Sequence, residues 1–197
     1  MIIVNSTNIA ELSDEQLGVW FNEMSDERKA ETERIAVKEK RAAKIAADHL
    51  CRECIGNFCK ADPKSIVFFK GEHGKPYAEN LPVFFSVSHS GDFAVCAVSE
   101  REIGIDIEKI RPIKLKTAER FAAPSELEYI TEERRLFEIW TLKEAYFKCI
   151  GTGLGADIKS VSFEICGNKI KCSQADFSCS FYEAPEGYIC SVCEKDA

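Results

Sequence analysis

The stretch Ile103-Gly104-Ile105-Asp106-Ile107-Glu108 constrains this chain more than any other. Its isoleucines alternate with Gly104, Asp106 and Glu108, and a strand has a side-chain period of two. A strand here turns the isoleucines to one face and sets Asp106 beside Glu108 on the other. Two neighbouring acids repel, and burying them unpaired is costly. The strand is therefore either a sheet edge with a solvated acidic face, or a place where the pair meets a shared proton, a basic partner or a cation. Oxygen ligands of this kind suit Mg²⁺, which keeps several waters and is completed by substrate phosphates.

A second stretch, Thr131 to Ile150, carries the marks of a helix: Thr131 as N-cap, acids in the first turn, and a stop at Gly151. Leu136, Ile139, Trp140, Ala145, Phe147 and Ile150 make a broad apolar side. Trp140, Glu144 and Lys148 follow at i, i+4 and i+8 along one flank. Glu144 and Lys148 alone would be an ordinary helix ion pair. Together with Lys143 they also offer one acid and two cations to a polyanion.

Gly-Ile-Asp-Ile-Glu at 104–108 and Trp-Thr-Leu-Lys-Glu-Ala-Tyr-Phe-Lys at 140–148 resemble motifs of the 4′-phosphopantetheinyl transferases. Gly74-Lys75-Pro76 and Ser86-Val87-Ser88-His89-Ser90 resemble that family's coenzyme A motifs, in the family's order. The single-chain, pseudo-dimeric branch that activates surfactin synthetase is the better match, from about residue 40 to the C-terminus.

At 197 residues and 45% hydrophobic, the chain can bury a substantial core as one large domain or two small ones. A net charge of −7 argues against nucleic acid as the main partner, because phosphate backbones favour a basic face. No apolar run approaches the roughly 20 residues of a membrane span. Met1-Ile2-Ile3-Val4 is too short for a signal peptide's apolar region, so a cytoplasmic protein is expected. Of the ten cysteines, Cys51/Cys54 and Cys190/Cys193 have zinc-like spacing. The first pair falls in an expected helix and the second in an expected strand, where odd spacing points the thiols to opposite faces. Reduced, mostly buried thiols are therefore expected rather than zinc.

Ser13 and Ser25 each precede acids and open expected helices, and a longer helix is expected over 37–59. Lys38, Lys40, Arg41 and Lys44 crowd its start, either as a solvated basic face or as a phosphate cradle. Asp62-Pro63 ends it. Strands are expected at 66–69, 83–87, 93–98, 103–107, 161–163, 177–182 and 188–193. Between them lie a capping box at Ser125-x-x-Glu128 and a turn built on Gly151, Gly153 and Gly155. Residues 94–100 echo 188–194 at an offset of 94, and 65–68 echo 160–163 at 95. The reading is an α+β fold of two similar halves, residues 1–102 and 103–197. Each is a helix on a small antiparallel sheet, the two related by a pseudo-two-fold, with the site in the cleft between them.

The resemblance implies a monomeric enzyme that moves the phosphopantetheine of coenzyme A to a serine of an apo carrier protein. In that scheme Asp106, Glu108 and Glu144 hold Mg²⁺ or Mn²⁺, and Lys148, Lys143 and His89 balance phosphate oxygens. Lys75, Lys40, Arg41 and Lys44 meet the 3′-phosphate, Gly74 and Pro76 lie against the adenine, and Ser88 belongs to the coenzyme motif. Glu144, or a metal-bound water beside Glu108, accepts the serine's proton. The carriers of this family are acidic, as this chain is, so docking is assigned to Arg111, Lys114, Lys116 and Arg120 with Leu115 as an apolar anchor. A coenzyme-binding module without turnover and a Mg²⁺-dependent pyrophosphate hydrolase are the rival readings.

Overall fold

A computed structural model describes residues 1–79, 81–153, 157–167 and 169–196. The first half of the chain gives β1 (Ile3–Asn8), α1 (Asp14–Glu23), α2 (Asp26–Glu33), α3 (Lys38–Cys59), β2 (Phe68–Lys70), β3 (Pro76–Ala78), β4 (Phe84–Ser90) and β5 (Phe93–Ser99). The second gives β6 (Ile103–Lys109), a 3-10 helix (Leu115–Arg120), α4 (Pro124–Leu127), α5 (Glu133–Ile150), β7 (Phe163–Cys166), β8 (Lys169–Cys172), β9 (Phe177–Tyr182) and β10 (Tyr188–Lys195). β1, β5 and β4 form one antiparallel sheet in that order, and β6, β10 and β9 form another. β2–β3 and β7–β8 are small hairpins.

Period-two side chains explain the stacking. Along β5, Ala94, Cys96 and Val98 pack under α3 with Leu50 and Cys54. Val95 and Ala97 face the other way, onto Ile103, Ile105, Ile107, Tyr188, Cys190 and Val192 of the second sheet. On the far side of that sheet, Ile189 and Cys193 meet Leu142, Ala145 and Cys149 of α5. The order is helix, sheet, sheet, helix. β5 and β10, the segments that echo at an offset of 94, are both central strands, and each half runs strand, long helix, hairpin, two strands.

Five local expectations need correction, the first being the strand expected at 161–163, which instead runs Phe163–Cys166. α5 begins behind Glu132, not Thr131, because the Thr131 N–H is engaged by the Tyr129 carbonyl in the preceding turn. α4 is closed by the Glu126 carboxylate accepting the Ala123 N–H at 2.6 Å rather than by Ser125 and Glu128, with Pro124 setting the start. β2 begins at Phe68, since a 3-10 turn over Pro63–Ser65 takes the Ile66 N–H and Arg52 takes its carbonyl. Finally, Cys179 and Cys193 lie directly opposite one another on β9 and β10 and form a disulfide, so the thiols are not all reduced. Cys51, Cys54, Cys96, Cys149 and Cys190 are buried and free, as expected. Gly155 of the expected glycine turn lies outside the described residues, while Gly151 caps α5 with φ +74°. No helix among the described residues is long and apolar enough to cross a membrane.

Candidate active site

The site is set by how closely α5 lies on β6. An ideal Cβ at Gly104 would stand 1.9 Å from the Ala145 carbonyl oxygen and 2.4 Å from the Cys149 nitrogen. Only glycine lets the helix backbone descend this far. The same face of β6 carries Asp106, and one turn along α5 from Glu144 stands Lys148. The Lys148 ammonium donates to Asp106 Oδ1 at 2.6 Å and to Ser88 Oγ at 2.9 Å, and Ser88 Oγ donates to the same Oδ1 at 2.6 Å. Asp106 is 4% exposed, and its Oδ2 is buried with no hydrogen-bond partner. Burial pushes this carboxyl's pKa up, against the pull of Lys148 and Ser88.

Alternate residues of β4 secure this arrangement. β6 is an edge strand, and its free amides need partners. Ser86 Oγ accepts the Ile105 N–H, and Ser90 Oγ accepts the Lys109 N–H, both at 3.1 Å. Ser90 also donates to Glu108 Oε2 at 2.8 Å, where Arg111 makes an ion pair at 3.1 Å. Ser86, Ser88 and Ser90 thus staple one sheet to the other. The sequence held the signal in their period-two spacing, but only the pairing of the strands gives it meaning.

Glu144 is half-buried, and burial first, then the Asp106 charge, raises its carboxyl to about 7 against the opposing pull of Lys148, with Glu108 adding to the rise. The donor set fits a divalent cation in chemistry: three carboxylates and one buried, unpartnered oxygen. It is not gathered for one. Among the described residues no group of three or more His, Cys, Asp or Glu side chains is placed to hold a metal ion. Asp106 is turned to Lys148 and Ser88, and Glu108 to Ser90 and Arg111.

Two cavities flank these acids. One, of about 350 Å³, is lined by Glu108, Trp140, Phe121 and Phe137, with Arg111 and Arg120 among its polar groups. The other, of about 220 Å³, is lined by Gly74, Lys75, Pro76, Phe147, Lys148 and Gly151, among others. Trp140 and Lys148 therefore mark the two ends of one helix flank, about 12 Å apart at the usual rise per residue. Lys75 is committed within its cavity: its ammonium donates to the Cys149 carbonyl at 2.8 Å and the Ile103 carbonyl at 3.2 Å, and burial lowers its pKa. His89 is exposed at the end of β4.

Other expected site residues lie elsewhere. Lys143 is fully buried on the opposite side of α5, where it pairs with Glu126 at 2.9 Å and donates to the carbonyls of Ile158 and Val161. It cannot balance a phosphate at Asp106. Its i+4 spacing from Ile139 already put it on the core stripe. Arg41 donates twice to the Ile35 carbonyl, and Lys44 pairs with Glu31 at 2.8 Å. Glu31 also takes Lys70, and the two lysines hold its pKa down to about 2. Lys40 is exposed, and none of Lys40, Arg41 and Lys44 lines either cavity beside the acids. Lys114, Lys116 and Arg120 are exposed around the 3-10 helix, but Leu115 is packed against the core rather than offered outward.

Residues 102–193 match the model of the 4′-phosphopantetheinyl transferase superfamily, and residues 11–101 match that of the 4′-phosphopantetheinyl transferase N-terminal region. A 4′-phosphopantetheinyl transferase of Bacillus subtilis is 32% identical over 86% of this chain and 81% of its own. The transferase Sfp of Bacillus subtilis strain 168 is 30% identical over 92% and 87%. The transferase gsp of Aneurinibacillus migulanus is 36% identical over 66% and 59%. The solved Thermotoga maritima holo-[acyl-carrier-protein] synthase overlays 48% of this chain and 62% of that one, with TM-score 0.42 and 24% identity. With relatives at this identity over most of both chains, this protein belongs to the 4′-phosphopantetheinyl transferase family of enzymes.

Proposed function

We propose that this transferase moves the 4′-phosphopantetheine group of coenzyme A to a serine of an apo carrier protein and releases adenosine 3′,5′-bisphosphate. The observation that carries the reading is the Asp106–Ser88–Lys148 cluster beside Glu144, lying between two cavities. Asp106, Glu108 and Glu144 are the residues to hold Mg²⁺ or Mn²⁺, which when bound neutralises pyrophosphate oxygens. Lys148, which lines the smaller cavity, reaches the same oxygens from its side. Gly74, Lys75 and Pro76 border the coenzyme's nucleotide there. Glu144, or a water held beside Glu108, takes the proton as the serine oxygen bonds to phosphorus and the bond from phosphorus to the bridging oxygen breaks. The larger cavity faces the carrier, whose docking rests on Arg111, Lys114, Lys116 and Arg120.

The test is to incubate the protein with coenzyme A, Mg²⁺ and a set of apo carriers and to weigh the carriers. A gain of one phosphopantetheine, lost with Asp106→Asn, is the expected result. Release of free phosphopantetheine without carrier modification would instead favour the hydrolase, and tight coenzyme binding without either product a binding module.

A further inference from the structure

We propose that Lys148 is the resting counter-cation of the acid centre, and that its ammonium competes with a divalent cation for Asp106, so that anion binding in the smaller cavity and cation binding at Asp106 strengthen each other. The inference rests on reading Asp106, Glu108 and Glu144 as cation ligands. Two observations carry it. Asp106 offers one oxygen to Lys148 and Ser88 and keeps the other buried without a partner, the mark of a ligand not yet fully engaged. And the three acids are not gathered around one point among the described residues, because lysine, serine and arginine groups already engage Asp106 and Glu108.

Lys148 is suited to leave. Its side chain is 30% exposed against 6% for Asp106, and it lines the cavity that holds Gly74 and Pro76. A polyphosphate there gives the ammonium new oxygens and draws it off Asp106. The groups that meet it or feel its charge are Asp106 from β6, Ser88 and His89 from β4, Cys190 from β10 and Glu144 from its own helix. A charged neighbour at this range changes a carboxylate's affinity for a proton by about 10- to 1000-fold, and a doubly charged ion feels the same field at least as strongly. Linkage then makes the effect reciprocal: whatever removes Lys148 from Asp106 tightens the cation, and the cation releases Lys148 for the anion.

The experiment titrates the full chain with Mn²⁺ alone, by calorimetry or by the electron-spin signal of free Mn²⁺. The proteins are wild type, Lys148→Met, Lys148→Gln and the double variant Lys148→Gln with Asp106→Asn. Both single variants are expected to bind Mn²⁺ about tenfold or more tightly than wild type, although both lose the lysine's service in transfer. The double variant is expected to lose that gain. Lys148→Gln keeps a hydrogen-bond partner for Ser88, and melting each variant with and without Mn²⁺ reads the same preference if one folds poorly. Equal or weaker Mn²⁺ binding in the single variants overturns the role of Lys148 and leaves the transfer reading standing. A gain that survives Asp106→Asn overturns it too, since the ion then sits elsewhere. Absence of Mn²⁺ binding in every protein removes both this inference and the metal assignment, whereas the carrier-weighing assay tests transfer independently.

Discussion

Replacing Gly104 by alanine tests the geometry from which the site is built. The added Cβ would stand 1.9 Å from the Ala145 carbonyl oxygen and 2.4 Å from the Cys149 nitrogen, both backbone atoms of α5. No side-chain rotation relieves this, so the helix must rise off β6 by about 1 Å or more, an overpacking cost of about 1–3 kcal/mol. For a chain of this size that is a fall in Tm of about 2–12 °C. The same rise lengthens the 2.6 Å contact between Lys148 and Asp106, and a misplacement of about 1 Å can cost 100-fold in rate. Calorimetry and carrier weighing measure the two effects. Because the clash is with backbone, adding Ala145→Gly should not rescue the variant. A Gly104→Ala protein with unchanged Tm and near-normal transfer, or one restored by Ala145→Gly, would refute the reasoning.

Three further outcomes are expected. With metal chelated, Glu144 holds its proton to about 7 in the folded protein, against an ordinary glutamate value of 4.5 in the unfolded chain; the native state therefore binds the extra proton between these values, and its stability falls as pH rises through them. Thermal melts of Glu144→Gln across that range should show a shallower fall than wild type, and parallel curves would count against the assignment. Lys75→Met leaves the Ile103 and Cys149 carbonyls without their donor, so urea unfolding should show a loss of about 1–3 kcal/mol, together with a higher KM for coenzyme A; unchanged stability would mean the inter-half tie is weak. Reversing Lys116 and Arg120 to Glu should raise KM for the carrier severalfold and leave KM for coenzyme A nearly unchanged, with added salt narrowing the gap because exposed charges are screened over about 8–10 Å; equal damage to both constants would move the patch into the coenzyme site.

What the sequence determined by itself was local and periodic. The alternation in Ile103–Glu108 already put Asp106 and Glu108 on one face, and the step from Trp140 to Glu144 to Lys148 already made one flank of a helix. The echo between residues 94–100 and 188–194 corresponds to the two central strands. These follow from periods of 2 and 3.6 residues, which need no partner to be read. The tertiary structure decided the rest, because a charged side chain's role depends on what faces it. Lys143 and Lys148 are alike in sequence, yet one meets Glu126 in the core and the other Asp106 at the site. Lys44 is spent on Glu31, and Lys75 on two carbonyls from the other half. Cys179 and Cys193 meet only because β9 and β10 pair in that register. Gly104 stands in the sequence as a small residue in a strand; that it must be glycine is decided by a helix backbone arriving from some forty residues away.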